Sequence, residues 1–581
     1  MYFIKINFER GIIRFMSNKK QKKYYAKRAA AAKSANTGKA SSNVRANSVS
    51  SKKRKLPSSP LFDTNNWCES FARIFLIAMA IVFPLAIGSQ KYSNITNFKN
   101  TTYYLIAALS FSALIIALII KIIKIPADQF RVSDSLNFFK NFNAIDIAVS
   151  CYWIFLVISA LLSEYKSVSW LGQGVRNDGL IIQTFYVITY FVISRLIRLR
   201  RFDLGIYCGG AAIVAILVIC HFFGWDVLDT GFSTPNWKSG LLFMGPMGNI
   251  NLTSYFVTVA IILSASLYIT DNQSENGQHN TLNDVIFRYF ILTSFVFLLW
   301  AELNLNTDAG IVALGVALLV SFPMLLTSFA RLGRMFTILA VSCGVILFDR
   351  LFVHLLIIGN GFGKIGWVAL CAGIIFTALA VLISRNIIKC NPSRRTMLIS
   401  SLAVDGAAVV GVLTVSAIAA KTQTSGVLYE LGQMLFHGNF DDNFGSNRLF
   451  TWKRTLKLSG KHPIFGSGPD TFCNVFKEAY GEESEKFFGG RNLDKAHNEY
   501  LQLLICSGIT GLGAFLAFIG GMIVKAFRRA ADNPLLVCCA MGVVGYAVHA
   551  FFGYSLPINS PLMWVLFGLT GAAVRVNDNL T

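Results

Sequence analysis

The residues able to do chemistry concentrate in the second half of the 581-residue chain. Gly445 to Arg454 reads GSNRLFTWKR. Ser446 or Asn447 would cap a short helix there, with Arg448 and Trp452 on one face at i, i+4. A turn follows, His462-Pro463-Ile464-Phe465-Gly466-Ser467-Gly468-Pro469-Asp470, and then Asp494 to Gln502 reads DKAHNEYLQ and enters an apolar run. Arginine offers a planar fork of donors that grips phosphate-type oxygens in pairs. A histidine in the first turn of a helix, as His497 is placed here, meets the positive end of the macrodipole. That keeps the imidazole neutral and able to accept a proton, while free backbone N–H groups at the same helix start suit an anion. The expected chemistry is anion binding beside a proton acceptor.

Each residue also has a plainer reading. His497 alone is an interfacial or capping group, Arg448 a loop ion pair, and Arg176 a side chain snorkelling at a membrane surface. Trp452 either packs or stacks on a sugar. Lys453, Arg454 and Lys457 form a basic face suited to an anionic lipid or membrane surface. Glu499 orients His497 or simply faces water. Trp452, Arg454, Asn498 and Glu499 are therefore the candidate substrate contacts around His497, Arg448 and Arg176. His462 and Asp470 shape the turn. For a metal, the nearest pattern is Asp441-Asp442, which reads better as a turn. No metal and no cofactor is expected. The eleven cysteines are scattered without a CxxC pair, so no disulfide framework is inferred.

These residues must be positioned by membrane helices. The composition is 54% hydrophobic and 14% charged, with mean hydropathy +0.53, too apolar to cover a soluble surface of this size. Fourteen runs near the 20 residues of a spanning helix are present, near 70–89, 103–123, 145–163, 178–197, 203–222, 249–270, 286–303, 309–328, 335–357, 364–384, 397–420, 499–525, 535–553 and 560–575. The span at 335–357 is the weakest, because Asp349 and Arg350 interrupt it. The net charge of +23 is concentrated in the N-terminal segment, where sixteen Lys or Arg face one acidic residue before residue 56. Residues 1–66 are expected to be a disordered cytoplasmic tail near anionic lipid. Nucleic-acid binding is the less favoured reading of that tail. Basic loops at 195–201, 331–334, 385–395 and 525–529 then fall on the tail's side, which puts both termini inside. The expected organisation is a bundle of about eleven helices over 67–420, a large extracytoplasmic loop at 421–498, and about three helices over 499–581. That loop far exceeds a usual helix connection.

The order of these pieces resembles the O-antigen ligase and polymerase superfamily of membrane glycosyltransferases. The matching stretches are SNRLFTWKRTLKL…HPIFGSGPDTF, DKAHNEYLQLLICSGITGLGAF, GVRNDGL at 174–180, MGNINLTSYF at 247–256 and HAFFGYSLPINSPLMW at 549–564. The resemblance implies an all-α polytopic membrane enzyme of the GT-C type, metal-independent and inverting. Such an enzyme moves a glycan from a polyprenyl-pyrophosphate carrier to an acceptor hydroxyl on a glycan, lipid or protein at the outer face of the cytoplasmic membrane. His497 matches the histidine of the family's HN motif, Arg448 the loop arginine and Arg176 the arginine before an earlier helix. Two departures stand out. Cys506 and Ser507 occupy positions where some members carry an acid, and Asn306 to Gly310 lacks the Ser-Arg pair of many relatives. Lys238 or Arg491 would have to supply a further anion contact. Ligase, polymerase and protein O-oligosaccharyltransferase are not separated by any motif, and neither is the oligomeric state. Asp405, in mid-helix, is the best support for a rival flippase or transporter of lipid-linked glycan, and a non-catalytic scaffold is the third class.

Overall fold

The computed structural model describes residues 66–124, 142–174, 176–231, 233–240, 242–271, 281–490, 493–530 and 532–578. The basic segment 1–65, Arg491 and most of the polar loop after Asp271 lie outside the described residues. No sheet forms among the described residues, and a single bridge pairs Phe243 with Asn249. The helices are α1 (Cys68–Leu85), α2 (Ile95–Lys124), α3 (Ala144–Leu162), α4 (Leu180–Leu196), α5 (Arg201–Phe222), α6 (Ile250–Thr270), α7 (Leu282–Leu305), α8 (Asp308–Leu325) and α9 (Phe329–Ile358). They continue as α10 (Gly363–Ser384), α11 (Arg394–Thr422), α12 (Val427–His437), α13 (Arg448–Ser459), α14 (Phe472–Phe488), α15 (Glu499–Arg528), α16 (Pro534–Phe552) and α17 (Ser560–Asp578). Every one of the fourteen expected runs falls on a helix. Among the described residues, eleven helices are long and apolar enough to cross a membrane, and α4 is a shorter apolar helix.

Local chemistry explains where the helices begin. Asn143 and Asp146 form a capping box at α3, and Thr281 and Asp284 form another at α7, each satisfying N–H groups that have no partner inside the helix. Asp349 does not break α9. The helix widens to π geometry over Asp349–Ile358, and the buried Asp349 lies 3.5 Å from His354.

Two sets of polar contacts mark one end of the bundle. Asp146 at the start of α3 holds Arg195 at the end of α4 (3.1 Å) and Arg575 near the end of α17 (2.5 Å). Asp203 at the start of α5 takes Arg73 of α1 at 3.0 Å, and Arg201 pairs with Asp284 at the start of α7. Buried carboxylates that keep their arginine partners tie helix ends together without leaving an unpaired charge. The segments before α4, α8 and α15 and after α16 lie at the other end, and the candidate site is built there. Between the two ends, α6 is almost wholly enclosed by neighbours, and Tyr207, Tyr255, Phe256 and Trp564 fill the interior.

The segment between α11 and α15 is folded around its own core. Phe450, Leu458, Phe472, Val475, Phe476, Ala496 and Ile505 bury one another, with Phe487 and Phe488 packed against them. α15 is not a continuous helix. Gly508 has φ 66 and ψ −173, a conformation that only glycine adopts freely. A Cβ there would lie 2.2 Å from the Ile464 carbonyl oxygen. At the break, Ser467 N and Gly468 N donate to Ile505 O (2.9 Å) and Cys506 O (3.0 Å), while Ile509 N and Thr510 N donate to Pro463 O (2.9 Å) and Ile464 O (3.3 Å). The 463–468 turn thus completes the broken helix. The stretch 509–528, about 20 residues, can span a bilayer by itself.

Candidate active site

A buried ammonium holds the site's segments together. Lys495, 1% exposed, donates to Asp470 Oδ1 at 2.8 Å and to Asp178 Oδ2 at 3.0 Å. Asp470 Oδ2 accepts the backbone N–H groups of Gln173 (2.8 Å) and Asp178 (3.2 Å), and Asp178 Oδ1 accepts Gln183 Nε2 at 2.9 Å. One cation therefore joins the loop ahead of α4, the turn ahead of α14 and the segment ahead of α15. Burial lowers the Lys495 pKa, but Asp178 and Asp470 outweigh it and hold the ammonium above the ordinary lysine range. For Asp178, which lies ahead of the first residue of α4, burial raises the carboxyl.

Arg176 stands two residues before Asp178, and His497 two residues after the central Lys495. Arg176 pairs with Asp494, its Nε at 2.6 Å from Oδ2. Its guanidinium also lies 5.9 Å from the Tyr554 ring centre, within cation–π range. His497 meets the same ring edge to face at 4.8 Å. His497 does not sit in the first turn of α15, as expected. Asn498 is the N-cap, accepting from Leu501 N at 3.1 Å, so His497 precedes the cap with φ 51. A local side-chain acceptor at Asn498 makes it the better cap. The correction changes the electrostatic reason for the neutral ring. Burial lowers the His497 pKa to about 4, helped by the like charges of Arg448 and Arg176 against Asp494.

Arg448 opens α13. The cap expected from Ser446 or Asn447 is absent, for both residues have positive φ and no side-chain cap bond forms. Instead, Glu430 of α12 accepts the Gly445 N–H at 2.8 Å. The Arg448 guanidinium makes no ion pair within 4 Å among the described residues. Burial pulls its pKa down, while Asp308 and Tyr554 act against that at longer range. Asn177, Ser446, Asn447, Asp470 and His497 all have positive φ without being glycine. Each flanks or forms the site, as expected where surrounding structure enforces an uncommon backbone.

The remaining expected contacts have other partners. Trp452 packs edge to face on Phe551 at 5.2 Å, docking α13 on the end of α16. Arg454 bridges Asp442 (2.9 Å) and Glu483 (2.5 Å) and stacks 3.5 Å over Phe450, so its fork is occupied. Glu499 points into the bundle and accepts from Tyr546 (2.7 Å), Tyr255 (3.2 Å) and Ser555. Asn498 is buried and engaged in capping. Asp441 and Asp442 brace the turn, Asp441 accepting the Asn443 N–H at 2.9 Å. The structure thus brings Arg176, Arg448 and His497 together around Tyr554. It adds Lys495, Asp178, Asp494 and Tyr554, which sequence reasoning did not assign, although all four lie within the quoted motif stretches.

This arrangement places the Arg448 guanidinium, the Asp494-paired Arg176 and a neutral imidazole together at one end of an apolar helical bundle. The helices define a polytopic membrane protein with a cluster of cationic side chains between its helix ends. Residues 351–516 match the family model described as O-antigen ligase, in agreement with the family that the motifs resemble. The matched region runs from late α9 through Arg448 and His497 into α15, and it supports a role in membrane glycan transfer. No curated protein matches the chain significantly.

Proposed function

We propose that the protein is a membrane glycosyltransferase. It moves a glycan from a polyprenyl-pyrophosphate carrier to an acceptor hydroxyl on the outer face of the cytoplasmic membrane. All fourteen helices of the bundle cross, both termini are inside, and the 421–498 segment is extracytoplasmic. One observation carries the reading: Arg448, partly buried and without an ion-pair partner among the described residues, stands beside an imidazole that burial keeps neutral. Arg448 and Arg176 hold the diphosphate and offset the charge that develops on the departing oxygen. His497 accepts the proton of the acceptor hydroxyl. That oxygen forms the new bond to the anomeric carbon, the old bond to phosphate oxygen breaks on the opposite face, and the polyprenyl diphosphate leaves. Two further points favour this sequence. A bound diphosphate cancels the positive field of the two arginines, so the ring becomes more basic when it must take the proton. The lock around Lys495 fixes the relative positions of Arg176 and His497 before substrate arrives.

The test is His497→Ala and Arg448→Ala in cells, followed by the fate of the loaded carrier. The transferase reading expects loss of the long-chain or transferred glycan with loaded carrier accumulating on the outer face. Accumulation on the inner face overturns it in favour of a flippase, the reading to which Asp405 in mid-α11 points.

A further inference from the structure

α12 belongs to the segment between membrane helices, yet it does not look like a water-exposed element. Its sequence is VLYELGQMLFH, and Glu430 is its one acidic residue. Val427 (49%), Leu428 (38%), Leu435 (56%) and Phe436 (51%) are exposed, and Phe440 (53%) follows just beyond it. In water, such a continuous apolar surface is costly and marks an interaction site.

The packing shows at what depth it lies. After Thr422 the chain reverses through Gly426 (φ 105), and α12 folds back along α11. Gly432 lies so close to α11 that a Cβ would fall 2.1 Å from the Ser416 carbonyl oxygen. Gln433 donates to Ala420 O at 3.0 Å. At about 1.5 Å of rise per residue, Ser416 is roughly 9 Å below the end of α11. The exposed face of α12 therefore lies beside the last turns of a membrane-crossing helix, at the depth of an interfacial helix.

The same helix is joined to the anion site. Glu430 binds the Gly445 N–H at 2.8 Å, three residues before Arg448, and Tyr429 meets Phe444 edge to face at 6.3 Å. A ligand made of a diphosphate head and a long apolar tail needs a cation and an apolar surface side by side. Arg448 and α12 supply that pair.

We propose that α12 is the platform for the isoprenoid tail of the donor, which lies along Leu428, Leu435 and Phe436 while Arg448 holds the diphosphate. This assignment rests on the donor reading given above. It makes α12 a selector for carrier length: a short prenyl chain that ends near the diphosphate gains nothing from the helix.

The experiment uses the full-length protein in lipid nanodiscs and two donors carrying the same glycan, one on a long polyprenyl diphosphate and one on a short prenyl diphosphate. The variants are Leu435→Asn and Phe436→Asn. The platform predicts that KM for the long-chain donor rises about tenfold, or about 1.4 kcal/mol, while the short-chain donor is used as by the wild type. An equal loss with both donors, or no change with either, overturns it. If the wild type transfers from neither donor, the donor reading itself falls and the platform with it. A long-chain donor with a photoreactive terminal isoprene gives a second measurement on the wild type, independent of how the variants fold. Crosslinks within 427–440 are expected, and crosslinks confined to other segments overturn the proposal.

Discussion

Replacing Lys495 with Met keeps most of the apolar stem but removes the ammonium from between Asp470 (2.8 Å) and Asp178 (3.0 Å). Two buried carboxylates then face each other without a cation. Breaking a buried ionic contact by removing one partner costs about 3–5 kcal/mol. Gln183 and the backbone N–H groups of Gln173 and Asp178 still serve the outer oxygens, which places the expected loss near the lower end, about 3 kcal/mol. That is a large share of a stability of order 5–15 kcal/mol. The pH dependence has a definite sign. Burial raises the Asp178 carboxyl above its ordinary value, with Asp470 adding to the shift and Lys495 opposing it. A carboxyl whose folded pKa exceeds its unfolded value contributes stability below the unfolded value, and that contribution is lost as pH rises through the folded one. Without Lys495 the folded value climbs further, so the variant loses more stability at pH about 8 than at pH about 5. Lys495, held above the lysine range in the wild type, stays charged throughout that window and contributes no pH dependence of its own. Thermal unfolding of the full chain in nanodiscs at both pH values, run beside a transfer assay, measures this. Lys495→Met should melt lower, most of all at the higher pH, and lose transfer. The triple variant Lys495→Met/Asp178→Asn/Asp470→Asn should recover most of the stability. Equal melting of the single variant and the wild type at both pH values would refute the buried lock, and so would greater damage at the lower pH.

The other predictions concern single contacts. Arg448→Ala should lower kcat/KM by about 100-fold, as for removal of one preorganised charge-stabilising group. The same change should move the acidic limb of its pH profile, set by His497 near pH 4, to higher pH because a like charge is gone. A steady-state pH–rate series reads both effects. Gly508→Ala should sharply reduce the yield of folded protein, since its Cβ meets backbone 2.2 Å away at Ile464 O; size-exclusion profiles of the purified variant check this. Glu499→Leu leaves the buried hydroxyl of Tyr546 without its acceptor, and at about 1–3 kcal/mol for such a loss it should lower the unfolding midpoint measurably. Arg454→Ala should shift stability by only about 1 kcal/mol or less, its two ion pairs being partly solvated, and transfer should persist in the same assay.

Hydrophobic runs were the most legible part of the sequence, because each spanning helix needs its own apolar stretch. All fourteen runs are helical, and Asp349 was absorbed by a π-helical stretch that hydropathy does not register. The break at Gly508 was not legible, since the run LLICSGITGLGAF reads as one helix. Only the turn at 463–468, distant in sequence, shows why a glycine is required there. For the candidate site, Arg176, Arg448 and His497 were singled out by residue type and motif order, and the structure gathers them near Tyr554. The placement of His497 was missed by a residue or two, because Asn498 takes the cap and leaves His497 just ahead of it. Arg454, Glu499, Asn498 and Trp452 have types that suit substrate, yet their contacts are internal. Pattern alone does not reveal which way a side chain points. The Asp178–Lys495–Asp470 lock joins residues more than 300 positions apart, and one sequence without aligned relatives carries no signal of that pairing.

The mutual repair between Gly508 and the 463–468 turn bears on how the chain is assembled. A nascent α15 leaving the ribosome has, at residues 505–510, main-chain groups that no neighbour in its own helix can satisfy. It is finished only when a segment made some forty residues earlier comes back to dock. Forming its own helical turns therefore does not complete α15; docking of the 463–468 turn does. A polypeptide stalled before that event should be the form that quality-control proteases recognise.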